Sequence, residues 1–361
     1  MEGLPVEGVG GSVLLKNSFW MIAGLTLAFS ATMVAGAQTG SQTGTGTAAR
    51  PATPAPPLQL QNLEPTGPPK DPFPPANPKY FTATSPTADT VNAFLKALWG
   101  YDQNRIWRVE AIQKTQAPDV SKVIVFVSAR TANAKVQTTE FFVTPDGKHA
   151  IAGAAVIPFG ANPFADARKE LEARADGAYR GAAGKDLMLV EFADLECPHC
   201  KEAQGTMNQL AKDFPNARIV FQSFPLTEIH PYAFKAAAYG YCVQKQKNDA
   251  FFDYADGVFN TQSGLNAQTG DETLKNAVTK AGLDPAAVAT CADTQATKDE
   301  VNASIKLAQD LGVDQTPMLA VNGHLLPLTQ VPYETLKTII NYQASLDGVS
   351  TGSAPPPTLA K

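Results

Sequence analysis

Residues 187–200 read LMLVEFADLECPHC, and the change of pattern inside this stretch decides the fold. Leu187 to Phe192 is apolar apart from Glu191 and reads as a buried strand, whereas from Cys197 to Phe214 the apolar residues Ala203, Met207, Leu210, Ala211 and Phe214 recur at helical spacing. A strand therefore hands over to a helix at Cys197-Pro198-His199-Cys200. Pro198 suits the first helical turn, where a missing N–H costs nothing. The unpaired N–H groups and positive dipole end of that helix would face the Cys197 sulfur and favour its thiolate, the form that attacks a disulfide. His199 adds an imidazole that can hydrogen-bond the same sulfur or, when protonated, attract its charge. A stabilised thiolate makes the corresponding disulfide a stronger oxidant. Cys200, one turn in and less exposed, is the natural resolving thiol, and its deprotonation needs a base. Glu191, in the middle of the apolar strand and six residues before Cys197, is the candidate, because desolvation there would raise its pKa. The alternative is an edge position facing solvent.

Two other readings of the CxxC are weaker. A structural zinc site needs four ligands, but Cys242 and Cys291 stand alone and His149, His230 and His324 are scattered. An inert disulfide across so short a loop would remove little unfolded-state entropy. The formal net charge of −5 and the lack of a basic cluster argue against nucleic acid as a partner. With no glycine-rich phosphate loop and no sustained metal-ligand cluster, neither a metal nor a bound cofactor is expected.

Lys16 precedes an uncharged apolar stretch from Phe19 to Val34, and Ala35-Gly36-Ala37 matches a small-residue cleavage pattern. Residues 1–37 thus read as a secretory signal, with a membrane anchor formed by residues 19–37 as the alternative. Both place the rest of the chain outside the cytoplasm, periplasmic or secreted, where disulfides persist. Residues 38–79, rich in Thr, Gly, Gln, Ala and Pro, cannot bury enough apolar surface to offset their ordering entropy and read as a disordered spacer; residues 350–361 form a similar tail. Residues 80–160 are expected to form a small α+β domain. Val91, Phe94, Leu95 and Leu98 mark a helix ending at Gly100. Strands are expected over 123–127, 140–143 and 149–157, the last two joined as a hairpin through Thr144-Pro145-Asp146-Gly147. Residues 161–181 would be a helical linker, on the strength of ADARKELEARAD at 165–176.

The motifs at 187–200 and GVDQTPMLAVNGHLLP at 312–327 resemble the DsbA-type branch of the thioredoxin superfamily. The implied fold class is α/β: a thioredoxin fold over 182–349 with a helical insertion at 231–311, preceded by the small α+β domain. By this resemblance Thr316-Pro317 would carry a cis peptide beside the active-site pair, and its loop would bind substrate backbone as an added strand. Asp284-Pro285 reads as a helix start within the insertion. Cys242 and Cys291 fall where family members often carry a second pair; a bridge would close a loop of about 50 residues and add about 4 kcal/mol, two buried free thiols being the alternative. The segment FFVTPDGKHAIAGAAVI is similar to the last hairpin of the amino-terminal domain of DsbC- and DsbG-type isomerases, which implies a homodimer through residues 80–160. The resemblances together imply an exported enzyme that oxidises dithiols in cysteine-containing exported proteins and is reoxidised by a membrane redox partner. A disulfide isomerase or reductase, or a non-catalytic peptide-binding chaperone module, are the competing functions.

Overall fold

The computed structural model describes residues 72–131 and 133–352; the expected signal or anchor, the spacer up to residue 71 and the tail beyond 352 lie outside the described residues. The first helix, α1 (Ala88–Trp99), starts at Thr87, whose hydroxyl accepts the Thr90 N–H, and stops at Gly100. Its face of Val91, Phe94, Leu95 and Trp99 packs on an antiparallel meander of β1 (Arg105–Lys114), β2 (Ser121–Ala129), β3 (Gln137–Val143), β4 (His149–Ala152) and β5 (Ala155–Pro158). Two features depart from the sequence reading. Strand β1 was not expected, because a bulge at Glu110 shifts its register and breaks the alternation that marks a strand. The stretch 149–157 is not one strand but two, paired with each other as Ile151↔Val156, with Gly153 at positive φ in the turn between them. Strand β3 pairs with β4 through Val143↔Ala150, the chain reversing at Gly147, whose φ is +64°.

The segment 161–181 is not a free helical linker. Helix α2 (Ala165–Arg174) buries Leu171 against the second sheet, and Ala178–Gly181 is a strand of that sheet, β6. Alanine and glycine in a four-residue strand carry no strand signal of their own, so neighbouring helix formers mask it. The sheet continues with β7 (Met188–Ala193), β8 (Arg218–Ser223), β9 (Met318–Val321) and β10 (His324–Pro327), in the order β10-β9-β7-β8-β6. Only β7 and β8 run parallel. Helix α3 (Pro198–Asp213) links β7 to β8, as a parallel crossover requires. Between β8 and β9 come five helices, α4 (Ala233–Gln246), α5 (Ala250–Asn260), α6 (Gly270–Lys280), α7 (Pro285–Ala292) and α8 (Gln295–Asp310), and α9 (Tyr333–Leu346) closes the described chain. Asp284 caps α7 through the Ala286 N–H, with Pro285 at the first position. Helices α3 and α9 cover one face of the sheet and α2 and α8 the other. None of the helices among the described residues is long and apolar enough to cross a membrane.

The two sheets are joined at α1 and α9. The Tyr342 hydroxyl donates to the Lys96 carbonyl at 2.8 Å, and a Cβ at Gly100 would lie 2.0 Å from that hydroxyl, so only glycine permits this approach. On the other face, His324 is buried and stacks on Phe164 with ring centroids 4.2 Å apart, fastening the start of α2 to β10. Burial pushes the His324 pKa down from 6.5 to about 4. The unfolded chain therefore takes up the proton first, and the stability that neutral His324 contributes is present above pH 6.5 and lost as the pH falls toward 4. We expect His324→Phe to lose less stability than the parent chain between pH 7 and pH 4, by up to about 3 kcal/mol, in urea unfolding followed at each pH.

Candidate active site

Side chains alternate along β7. Leu187 and Leu189 enter the layer shared with α3 and α9, while Met188, Val190 and Phe192 enter the layer shared with α2 and α8. Glu191 has the parity of Leu189 and lies under α3. It is 2% exposed, on the central strand rather than an edge. Gln204 Nε2 donates to Glu191 Oε1 at 2.9 Å and to the Cys200 carbonyl at 3.0 Å, so one amide ties the carboxylate to the backbone of the second cysteine. Burial pushes the Glu191 pKa up to about 7, against the opposing pull of the Gln204 bond and the Arg180 charge.

Cys197 is the N-cap of α3 and Pro198 its first residue. The Cys197 pKa is pushed down to about 5. The Cys200 thiol is the largest cause; Thr316 and the backbone N–H groups of Cys200 and His199 add to it and burial opposes it. Cys200 is fully buried, and desolvation, followed by its hydrogen bond to Cys197 and then the Cys197 charge, pushes its pKa far up. The two thiols are unbridged and sharply unequal. The His199 imidazole is not hydrogen-bonded to the Cys197 sulfur, although the Cys197 charge helps to raise its pKa. It is exposed and meets Glu202 Oε2 at 3.0 Å, and that bond is the main reason its pKa is raised.

Thr316-Pro317 is cis and immediately precedes β9. The Cys197 thiol points at the Thr316 carbonyl, 3.8 Å away. The Thr316 hydroxyl is buried without a conventional hydrogen-bond partner and lies beside both sulfurs, where it favours their ionised forms. Cys242 on α4 and Cys291 on α7 form a disulfide with a Cα–Cα distance of 6.0 Å. No group of three or more His, Cys, Asp or Glu residues that could hold a metal ion occurs among the described residues.

Four residues that sequence reasoning did not single out brace the turn before the cysteines. Asp194 is buried and bonded to His230 at 2.8 Å; Glu196 Oε2 accepts the Tyr232 N–H at 2.7 Å, at the start of α4; Gln262 Nε2 donates to the carbonyls of both Leu195 and Cys197 at 3.0 Å. Two acidic residues just ahead of a CxxC were the available signal.

The model of the thioredoxin family matches residues 175–342, the segment that holds this sheet, the CxxC helix and the insertion. Residues 175–342 are a thioredoxin-family domain. Parts of the chain are also similar to curated sodium/proton antiporters named NhaA. They are 43% identical over 58 residues to NhaA 1 of Salinispora arenicola, covering 16% of this chain and 9% of that protein. They are 28% identical over 177 residues to NhaA of Herminiimonas arsenicoxydans, covering 49% and 27%. The chain thus spans at most about a quarter of these two relatives. Among solved structures, oxidised BdbD of Bacillus subtilis aligns at 20% identity with a TM-score of 0.42, over 47% of this chain and 93% of that one.

The thioredoxin domain makes two measurements decisive. Thiolate absorbance at 240 nm should rise with a midpoint near pH 5 for one sulfur, Cys197, and in Cys200→Ala, which removes the main donor, the midpoint should move up by about one pH unit or more. For Glu191 the folded pKa of about 7 lies above the ordinary 4.5, so its contribution to stability is full below pH 4.5 and is lost as the pH rises through 7. Glu191→Gln should flatten that loss by up to about 3 kcal/mol, measured by chemical unfolding at pH 5 and pH 8.5.

Proposed function

We propose that the chain is an exported thiol–disulfide oxidoreductase that works as a dithiol oxidase on cysteine-containing exported proteins. The observation that carries this reading is the inequality of the two sulfurs. Cys197 sits at a helix N-terminus with its pKa down to about 5, and Cys200 is fully buried with its pKa pushed up. A low-pKa sulfur is a good leaving group and a stabilised thiolate, which together make the disulfide form oxidising.

In the oxidised protein a substrate thiolate attacks Cys197 Sγ. The Cys197–Cys200 bond breaks, its electron pair goes to Cys200 Sγ, and Cys200 takes up a proton from protonated Glu191 through the intervening site. A second substrate thiolate then attacks the substrate sulfur of the mixed disulfide and releases the Cys197 thiolate. The substrate has lost two electrons and its two thiol protons, and the protein holds the electron pair as its dithiol. A membrane redox partner takes that pair back in the reverse sequence, with Glu191 accepting the Cys200 proton. The two sulfurs carry the electrons themselves, so the chemistry calls for no bound cofactor. Substrate backbone would lie along the Thr316-Pro317 loop, whose carbonyl already faces Cys197. Export is supported by residues 1–37, which carry the signal pattern.

One observation favours an isomerase instead. Ile151 and Val156 face each other across β4 and β5 at the edge of the amino-terminal sheet, 37% and 66% exposed, and such an edge would suit a homodimer through residues 80–160. The reduction potential separates the two. Equilibration with glutathione buffers should give about −120 mV for an oxidase, whereas about −200 mV or below leaves a reductase or isomerase. Cys197→Ser should abolish exchange altogether; retained activity would leave only a peptide-binding module.

A further inference from the structure

Asp194 ties both cysteines to the segment that leads into the helical insertion. Its backbone N–H donates to Cys200 Sγ at 3.4 Å, and its carbonyl accepts the Cys197 N–H at 3.1 Å. Its side chain is fully buried and shares three donors. Oδ1 accepts the Glu196 N–H at 2.8 Å; Oδ2 accepts the Leu226 N–H at 2.9 Å and bonds to His230 Nδ1 at 2.8 Å. His230 is itself placed by its own N–H, which donates to the Leu226 carbonyl at 2.9 Å, so Asp194 and Leu226 hold its ring side and its main chain. Bonds to a buried carboxylate are the strong kind, and a carboxylate that loses one partner in such a site must move or draw in water. If Asp194 moves, its backbone moves with it, and that backbone touches both redox residues.

We infer that Asp194 and His230 are a positioning pair for the redox cysteines, with the His230–Asp194 bond setting the aim of the Asp194 backbone at Cys197 and Cys200. This rests on the proposed role of Cys197–Cys200 as an exchange pair. An N–H aimed at sulfur favours the electron-rich dithiol over the disulfide. Loss of the aim should therefore make the disulfide more stable and the protein less oxidising.

The test uses the whole chain with His230→Phe, which keeps an aromatic ring and removes the bond, and His230→Asn, whose Nδ2 stands where the imidazole Nδ1 does and can still donate to Asp194 Oδ2. In glutathione buffers His230→Phe should shift the exchange equilibrium about tenfold or more toward the disulfide, about 30 mV, while His230→Asn stays within about threefold of the parent. The exposed neighbour Glu228→Ala should leave it unchanged. A His230→Phe equilibrium within about twofold of the parent, or an equal loss in His230→Asn, would overturn the inference. Should His230→Phe not fold, His230→Leu, which carries no donor, is read against the same limits. If the parent chain exchanges no disulfide with glutathione, the proposed function fails. The positioning is then still read from the pH profile of Cys197 alkylation, whose midpoint should rise by about half a pH unit or more in His230→Phe and would refute the pair if unmoved.

Discussion

The first N–H groups of α3 have no helical partner, and the sulfur of Cys197 stands where a capping oxygen would. A capping serine or aspartate would bond those donors and end its chemistry there; a sulfur satisfies them best as a thiolate, so the capping requirement of the helix becomes a bias toward the Cys197 thiolate. The rest of the domain serves to hold that helix end still. Ala203, Met207 and Leu210 lock the inner face of α3 onto the sheet, and β7 delivers the chain to its start. Cys200, one turn in, supplies the largest lowering of the Cys197 pKa through its thiol, and the backbone N–H groups of the helix end add to it.

Glu191 shows what the site gives up in stability. A valine there would fill the same strand position with no ionisable group in the core, and an ionised carboxylate in that place works against the fold. The single Gln204 bond and the Arg180 charge offset only part of it, and the pKa stays near 7. That residual is useful chemistry, because a group that gains and loses a proton near neutral pH can serve Cys200 in both directions. Gln204 also reaches the Cys200 carbonyl, so Glu191 and Cys200 share one tether.

Legibility in the sequence followed the range of each interaction. Strand β7, helix α3 and the α7 cap at Asp284 are written in local pattern and were readable from it. Strand β1 escaped because the bulge at Glu110 breaks its alternation, and β6 because four residues, AYRG, beside strong helix formers carry too little signal. In the site, Cys197, Cys200 and Glu191 could be read because they lie within ten residues of chain. The His199 ring was read as a partner of Cys197 by hydrogen bond or by charge; Glu202, three residues on and on the same helical face, takes the bond, and the attraction between the ring and the Cys197 charge remains. His230 lies 36 residues from Asp194 and Gln262 lies 65 from Cys197, and no local pattern reports such pairs. Thr316, 119 residues from Cys197, entered only through the resemblance of its motif.

The two additions to the thioredoxin core meet α3 at different places. The insertion and the segment leading into it grip its amino end: Gln262 holds the carbonyls of Leu195 and Cys197, Glu196 caps α4, His230 holds Asp194, and the Cys242–Cys291 bridge ties α4 to α7 behind them. The amino-terminal sheet works from the other end, through Lys96 and Gly100 on Tyr342 of α9, and through Tyr101, which packs on the layer containing Leu210 and Phe214. A disturbance in the insertion therefore acts on the sulfurs through one or two hydrogen bonds, whereas one in the small domain must pass along the length of α3. The surroundings of Cys197 and Cys200 are thus set by the insertion and the core, while the small domain reaches them only along α3.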